Sequence, residues 1–194
     1  MTKPKHSLIP SGESLRQAVR WMSENAPATV DKINTAACRF DLTPVEEEFL
    51  LREFLPQVTW EHFHHQADIG VRGIGHTLAQ SFEQAGLALT AVVTDIARVQ
   101  ALQRVGIACA EQDPELLFVD WLNAIIYQMA TTNMLFSRFQ VTIAEGKLTA
   151  ILTGEPVDRT RHEPAVEPKG ATFTELKVVR RSDGSWIAQC VIDV

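Results

Sequence analysis

The densest run of chemically capable side chains is Glu61-His62-Phe63-His64-His65-Gln66-Ala67-Asp68, three histidines and two acids in eight residues. In an extended segment His62 and His64 share one face, because strand side chains alternate with a period of two. Two imidazoles on one face suit zinc or another transition metal. The same pair also suits a strand end making ordinary hydrogen bonds, and no second ligand pair at a zinc spacing accompanies it. A second candidate is Val191-Ile192-Asp193-Val194. If Ile192 points into a core, Asp193 points the other way, beside the carboxylate carried by Val194. Adjacent carboxyl groups form an all-oxygen anionic patch of the kind hard divalent ions prefer, completed by another carboxylate, a carbonyl and water. A frayed, solvated tail fits the same residues.

Elements with recognisable starts must position these groups. Residues 12–55 read as three short amphipathic helices, with Leu15, Val19 and Met22, then Val30, Ile33, Ala37 and Phe40, at helical spacing. Thr43, Pro44 and Glu46 open the third with a capping box, and Val45, Phe49 and Leu50 are its expected buried face. The first ten residues read as a loose arm, and Pro56 as a boundary. Beyond it the pattern becomes mixed. Val71 to Gly75 reads as a strand end, and Thr77 with Gln80 opens a helix whose stripe is Leu78, Phe82, Ala85, Leu89 and Val92. Val105, Ile107 and Cys109 alternate as a strand, and Asp113-Pro114 opens a long helix with Phe118, Leu122, Ile125, Ile126 and Met129 on its apolar face. Phe139, Val141 and Ile143 face Leu148, Ala150 and Leu152 across an Ala-Glu-Gly-Lys turn. Leu176 and Val178 precede Ser-Asp-Gly-Ser and a last strand with Trp186, Ala188, Cys190 and Ile192 on one face. Helices alternating with hairpins indicate an α+β fold with antiparallel pairing at residues 57–194, preceded by a helical segment at 1–56.

Composition narrows the function. Eighteen Lys and Arg against 24 Asp and Glu give a formal charge of -6. Nonspecific nucleic-acid binding neutralises phosphates with Lys and Arg, so an acidic chain with no basic run is expected to meet RNA only through a partner. Cys38, Cys109 and Cys190 are far apart and odd in number, which argues for buried, reduced thiols and against a disulfide framework or structural zinc. No apolar leader is visible, nor any run near the ~20 residues a membrane span needs, so the expectation is a cytoplasmic protein without a membrane partner. No Ser-His-Asp order, Cys-His pair or P-loop is evident, which leaves independent nucleotide hydrolysis without support.

His65-Gln66-Ala67-Asp68-Ile69-Gly70 resembles the His-Thr-Ala-Asp-Ile/Val-Gly segment that opens members of the archease family. Gly75-His76-Thr77-Leu78 and Ser81-Phe82-Glu83-Gln84-Ala85 are similar to its Gly-x-Thr-Leu and Phe-Glu-x-Ala helix. Trp121-Leu122-Asn123 with Tyr127 resembles Trp-Leu-Asn-Glu-x-x-Tyr. Gly154-Glu155, Arg161-His162 and Lys169-Gly170-Ala171-Thr172 fall in the order of that family's Gly-Glu, Lys/Arg-His and Lys-Ala-x-Thr elements, and Ile-Asp-Val resembles its ending. The resemblance implies an α+β fold and an accessory protein, not an enzyme, that helps an RtcB-type RNA ligase acquire GMP and turn over in tRNA splicing and RNA repair. It implies a Ca2+ or Mg2+ site on Asp68, Asp193 and Val194, with His65 supporting it or meeting the partner. Three positions depart from the pattern: Gln66, Ala124 (which removes an acid near the implied site) and Thr174. The alternatives are a metal-dependent phosphoester hydrolase using Asp68, His65 and Asp193, and a metal-binding, chaperone-like module with another partner.

The separately capped and amphipathic helices predict that deletion of residues 1–55 leaves the rest folded. Circular dichroism of the truncated protein should show one cooperative melt. A broad, non-cooperative melt would place the segment in the main core.

Overall fold

The computed structural model describes residues 12–55, 57–65 and 67–194. The expected N-terminal arm, Pro56 at the expected boundary and Gln66 lie outside these. The described residues divide into two compact units, one holding 12–55 with Ser182–Gly184 and the other holding the remainder.

The first unit is three helices. α1 (Glu13–Glu24) buries Leu15, Ala18 and Met22, a spacing that keeps them on one face. α2 (Val30–Arg39) starts at Thr29, whose hydroxyl accepts the Lys32 N–H, and buries Ile33 and Ala36. α3 (Pro44–Phe54) has the expected box: Thr43 Oγ1 accepts from Glu46 N, and Glu46 Oε2 accepts from Thr43 N at 2.9 Å. Two positions differ from expectation. Val45 is 75% exposed while Leu50 is fully buried. Five residues turn a helix through about 140° beyond a full circle, so the two point apart. Ala36, not Ala37, carries the buried position of α2.

The second unit runs β1 (Thr59–His65), β2 (Asp68–Gly75), α4 (Leu78–Val93), a 3-10 turn at Ile96–Arg98, β3 (Gln103–Ala110) and α5 (Pro114–Thr132). It continues with β4 (Met134–Ala144), β5 (Lys147–Pro156), α6 (Arg159–His162), β6 (Gly170–Ala171), β7 (Lys177–Arg180) and β8 (Trp186–Asp193). The strands form two sheets, ordered β1-β2-β8-β6 with β7 also on β8, and β3-β5-β4. Every pairing is antiparallel. This is the α+β architecture expected from the pattern.

Local chemistry sets each start. Thr77 Oγ1 accepts the Gln80 N–H to open α4, but the Gln80 side chain accepts from His76 N–H, one residue before the expected cap. Asp113 Oδ1 accepts from Glu115 N at 2.7 Å, with Pro114 in the first turn of α5. Glu145 and Gly146 both have positive φ, 51° and 71°, as a two-residue turn matching strand twist requires.

Both sheets share one core with α4 and α5. Val71, Ala188, Cys190 and Ile192 from the larger sheet, Phe82, Trp121 and Leu122 from the helices, and Phe139, Leu148 and Leu152 from the smaller sheet belong to one buried cluster. The Trp121 indole N–H donates to Phe82 O at 3.1 Å, which satisfies its polar atom inside the core. The contact of α4 with β2 is made by absence. A Cβ on Gly73 would lie 2.0 Å from Ser81 O and 2.5 Å from Ala85 N, so the helix backbone rests directly on the strand.

All three cysteines are free. Cys190 is buried, and burial pushes its thiol up to about 12. Cys38, expected to be buried, is exposed. No helix among the described residues is long and apolar enough to cross a membrane.

Gly73→Ala should therefore cost about 3 kcal/mol or more, because backbone must move to admit the methyl group. Gly106→Ala, where a Cβ meets nothing within 4 Å, should be close to neutral. Urea unfolding of the two variants checks the contrast.

Candidate functional site

Asp68 and Asp193 come from opposite ends of the second unit's sequence and are brought to one edge by register. β2 and β8 pair with Ile69 opposite Ile192 as the last couple, and one step further along the strands places Asp68 beside Asp193. Ile192 is fully buried, so alternation sends Asp193 to the other face. On the far side of β8, Gly170 pairs with Asp193. Three strands thus converge where the chain reaches Val194.

The segment before β6 closes this edge. Lys169 N–H donates to Asp193 O at 2.8 Å, and Lys169 Nζ donates to a Val194 oxygen at 2.8 Å. The same ammonium lies 3.7 Å from Asp193 Oδ1. α5 holds β6 in turn, because Asn123 Oδ1 accepts the Ala171 N–H at 2.9 Å. Thr172 Oγ1 donates to Val191 O at 3.0 Å, and Val191 N donates to Thr174 O at 3.1 Å. Ala124, where the family pattern has an acid, packs against the main core. A hollow of about 470 Å³ lined by Asn123, Tyr127, Glu167, Pro168 and Lys169 opens beside Lys169, and Tyr127 is 63% exposed there.

His65 is the last residue of β1 and pairs with Asp68 across the hairpin. Its Nδ1 is buried with no hydrogen-bond partner among the described residues. An unpartnered buried ring nitrogen is costly unless something polar meets it. The other histidines separate. His62 Nε2 makes a hydrogen bond with Ala88 O at 2.8 Å, and its ring packs 5.2 Å from Trp60. That occupies one ring nitrogen and leaves the shared face with His64 without a third ligand. Among the described residues no group of three or more His, Cys, Asp or Glu side chains is placed to hold a metal ion.

The side-chain donors at the β2/β8 edge are the carboxylates of Asp68 and Asp193, oxygen ligands of the kind hard divalent cations take. A positive charge already stands there, in the form of Lys169.

A second polar cluster is buried. Glu155, 3% exposed, pairs with Arg161 Nη2 at 2.6 Å, accepts the Gln100 N–H, and meets His162 Nε2 at 3.2 Å. Asp158 N–H donates to His162 Nδ1 at 2.9 Å, so that nitrogen is an acceptor and Nε2 carries the proton toward Glu155. Thr94 Oγ1 donates to His162 O. The Arg161 hydrogen bond above all holds the Glu155 carboxyl down at about 2, against the upward push of burial and aided by Gln100 N–H and His162. This cluster ties β5 and α6 to the segment just after the 3-10 turn, through Gln100. From sequence, Glu155, Arg161 and His162 are only motif positions, and Lys169 and Asn123 carry no sign of being anchors. Lys169 meets the end of β8 and Asn123 reaches from α5 to β6, pairings that spacing along the chain does not carry.

The fold and sequence of the second unit match a known family of α+β proteins. The Archease protein family (MTH1598/TM1083) model matches residues 60–194. The Protein archease of Pyrococcus furiosus is 35% identical over 139 residues, covering 70% of this chain and 98% of the relative. That of Methanosarcina acetivorans is 31% identical over 140 residues, covering 70% and 95%. The solution structure of protein 1598 of Methanobacterium thermoautotrophicum is 32% identical with a TM-score of 0.64, covering 71% of this chain and all of that one. The chain belongs to the archease family.

Because Glu155 has a folded pKa near 2 against an ordinary 4.5, its contribution to stability is present above about 4.5 and is lost as pH falls toward 2. Glu155→Gln should be destabilised at pH 7, since each buried partner left unmet costs about 1–3 kcal/mol. The gap between wild type and variant should narrow between pH 4.5 and 2 in chemical denaturation. A constant gap would mean that the charge of Glu155 contributes nothing.

Proposed function

We propose that this archease is an accessory protein of an RtcB-type RNA ligase in the cytoplasm, promoting the ligase's guanylylation and repeated turnover in tRNA splicing and RNA repair. What supports the reading is the family match over residues 60–194 together with the convergence of Asp68, Asp193 and Val194 at one strand edge. Asp68, Asp193 and the Val194 carboxylate would hold Ca2+ or Mg2+, and His65, whose Nδ1 is buried and unpartnered, would support Asp68 or meet the ligase. Bound there, the ion would supply a fixed positive charge able to organise oxygen ligands from a partner.

The chain's own residues do the rest. Lys169 screens the carboxylates against one another and holds the chain end in place through Val194. Asn123 fixes β6 against β8, so the edge is rigid before any ion or partner arrives. The neighbouring hollow with Tyr127 offers an exposed aromatic of the kind interfaces use as an anchor. RNA is reached through the ligase.

Asp68→Asn, Asp193→Asn and a short extension after Val194 should each weaken Ca2+ or Mg2+ binding and ligase stimulation together. None deletes buried apolar area, so melting without metal should be unchanged. The combined variant should lose less than the sum of the single losses, because groups serving one ion are coupled. Calorimetry beside a guanylylation assay measures both. In thermal shift, Ca2+ or Mg2+ should stabilise more than Zn2+. Unchanged metal affinity in Asp193→Asn and the extended protein would remove the site. Phosphodiester turnover by the protein alone would replace the accessory role with an enzymatic one.

A further inference from the structure

The smaller sheet has one face in the core and one in solvent, and the solvent face concentrates cations that are scattered in the sequence. Arg104 on β3 and Arg138 on β4 both pair with Thr153 on β5, which makes Arg104, Thr153 and Arg138 one row across the three strands. A bulge at Ser137 shifts the phase of β4 between Phe136 and Arg138, so Phe136 and Phe139 are buried while Arg138 turns outward. Both arginines are exposed, and neither has an acid or other hydrogen-bond partner among the described residues.

Strands lie about 4.8 Å apart, so the two Cα atoms are about 10 Å apart with a hydroxyl between them. Two long guanidinium side chains can close over Thr153 from either side at that span. The three line a cavity of about 510 Å³. One carboxylate, Glu83, also lines it, but its Oε1 accepts the Val141 N–H at 2.8 Å. Further along the same face the rows are Gly106, Ile151 and Gln140, then Ala108, Thr149 and Thr142, small or donor-bearing apart from Ile151. No acid occurs in these rows.

We infer that Arg104, Thr153 and Arg138 form a phosphate-binding site that takes the phosphate group of a nucleic-acid strand or nucleotide. Guanidinium forks match tetrahedral oxyanions with paired hydrogen bonds, and a hydroxyl supplies a third donor. A protein surface as occupant is less well matched. Ile151 is the only large apolar side chain in these rows; of the cavity's other lining residues Leu102 is an exposed aliphatic and Phe139 is buried in the core, so among the described residues the lining offers no exposed aromatic anchor of the kind protein interfaces use. With no exposed aromatic there is no platform for base stacking, so contact is with phosphate and is indifferent to base. The site stands apart from the β2/β8 edge and does not depend on the ligase reading. It qualifies the expectation that an acidic chain meets RNA only through a partner: the net charge is -6, but the register sorts the charges onto separate faces.

The test uses the full-length protein alone, in EDTA, so that the proposed metal edge and the ligase play no part. Arginine Nε–H resonances are followed by NMR with inorganic phosphate, GMP and a ten-nucleotide oligouridylate, and the oligonucleotide is also titrated by anisotropy. All three ligands should shift the signals of Arg104 and Arg138. Tighter binding of the oligonucleotide than of GMP assigns the site to a strand, and equal binding assigns it to a nucleotide. One neutralised phosphate on a single strand predicts a salt slope of about -0.7 in log affinity against log salt. Arg104→Ala and Arg138→Ala should each weaken binding about tenfold, the loss expected for a charged hydrogen bond. Arg104→Lys, which keeps the charge but not the fork, should fall between, and Lys147→Ala should change little. Exposed positions leave melting unchanged, and the lysine variant preserves the test if an alanine variant is unstable. Absence of shifts with all three ligands, or unchanged affinity in the double alanine variant, overturns the site. Equal binding of polyglutamate overturns the assignment to phosphate in favour of a carboxylate-bearing protein surface.

Discussion

The antiparallel pairing of β8 with β2 is the constraint on which the second unit depends. It joins residues as far apart as Arg72 and Gln189, whose side chains meet at 2.7 Å. Through it Ala188, Cys190 and Ile192 reach the core, where they face α4 and α5. The glycines of β2 let α4 lie against the strand backbone, which fixes the helix relative to β8 as well. Because side chains alternate strictly along a strand, a slip of one residue would exchange Ile192 for Asp193 in the core. Burial of Ile192 therefore sets the direction of Asp193. Stability and the placement of the candidate site come from one register.

The electrostatics at that edge are those of a site with a built-in competitor. The side-chain carboxylates of Asp68 and Asp193 would repel one another if left alone, and Lys169 relieves the repulsion without burying its charge. Exposed ion pairs of this kind contribute little, about 0–1 kcal/mol, so a divalent ion can displace or crowd the ammonium at small cost. The buried pair of Glu155 and Arg161 is different in kind. There the carboxylate has three donors and no solvent to replace them, which suits a fixed brace and not an exchanging site.

Local chemistry was legible in the sequence wherever a residue and its partner are close along the chain. Thr43, Thr77 and Asp113 start their helices as their types require, and the Glu145-Gly146 turn registers the β4–β5 hairpin. The face of β8 followed from alternation alone. Val45 lies on the solvent side because helical angle, not hydrophobicity, decides which face a first-turn residue joins. Asp68 and Asp193 were legible only through a family resemblance, since nothing local joins them. Lys169, Asn123 and the row of Arg104, Thr153 and Arg138 were illegible for the same physical reason. Each depends on which strand lies beside which, and that order is decided by the whole core.

The distance along the chain between β2 and β8 has a consequence for biosynthesis. β1 and β2 form a hairpin from neighbouring residues, but the other edge of β2 finds its partner only after the intervening helices and the smaller sheet have been made. During that interval a strand with three glycines and a row of open amides and carbonyls is presented to other nascent chains. Long-range pairing is slow to form, and unpaired edges are the usual route to misassembly. The molecule is most exposed to loss as a half-made polypeptide, before the strand that completes its sheet has been synthesised.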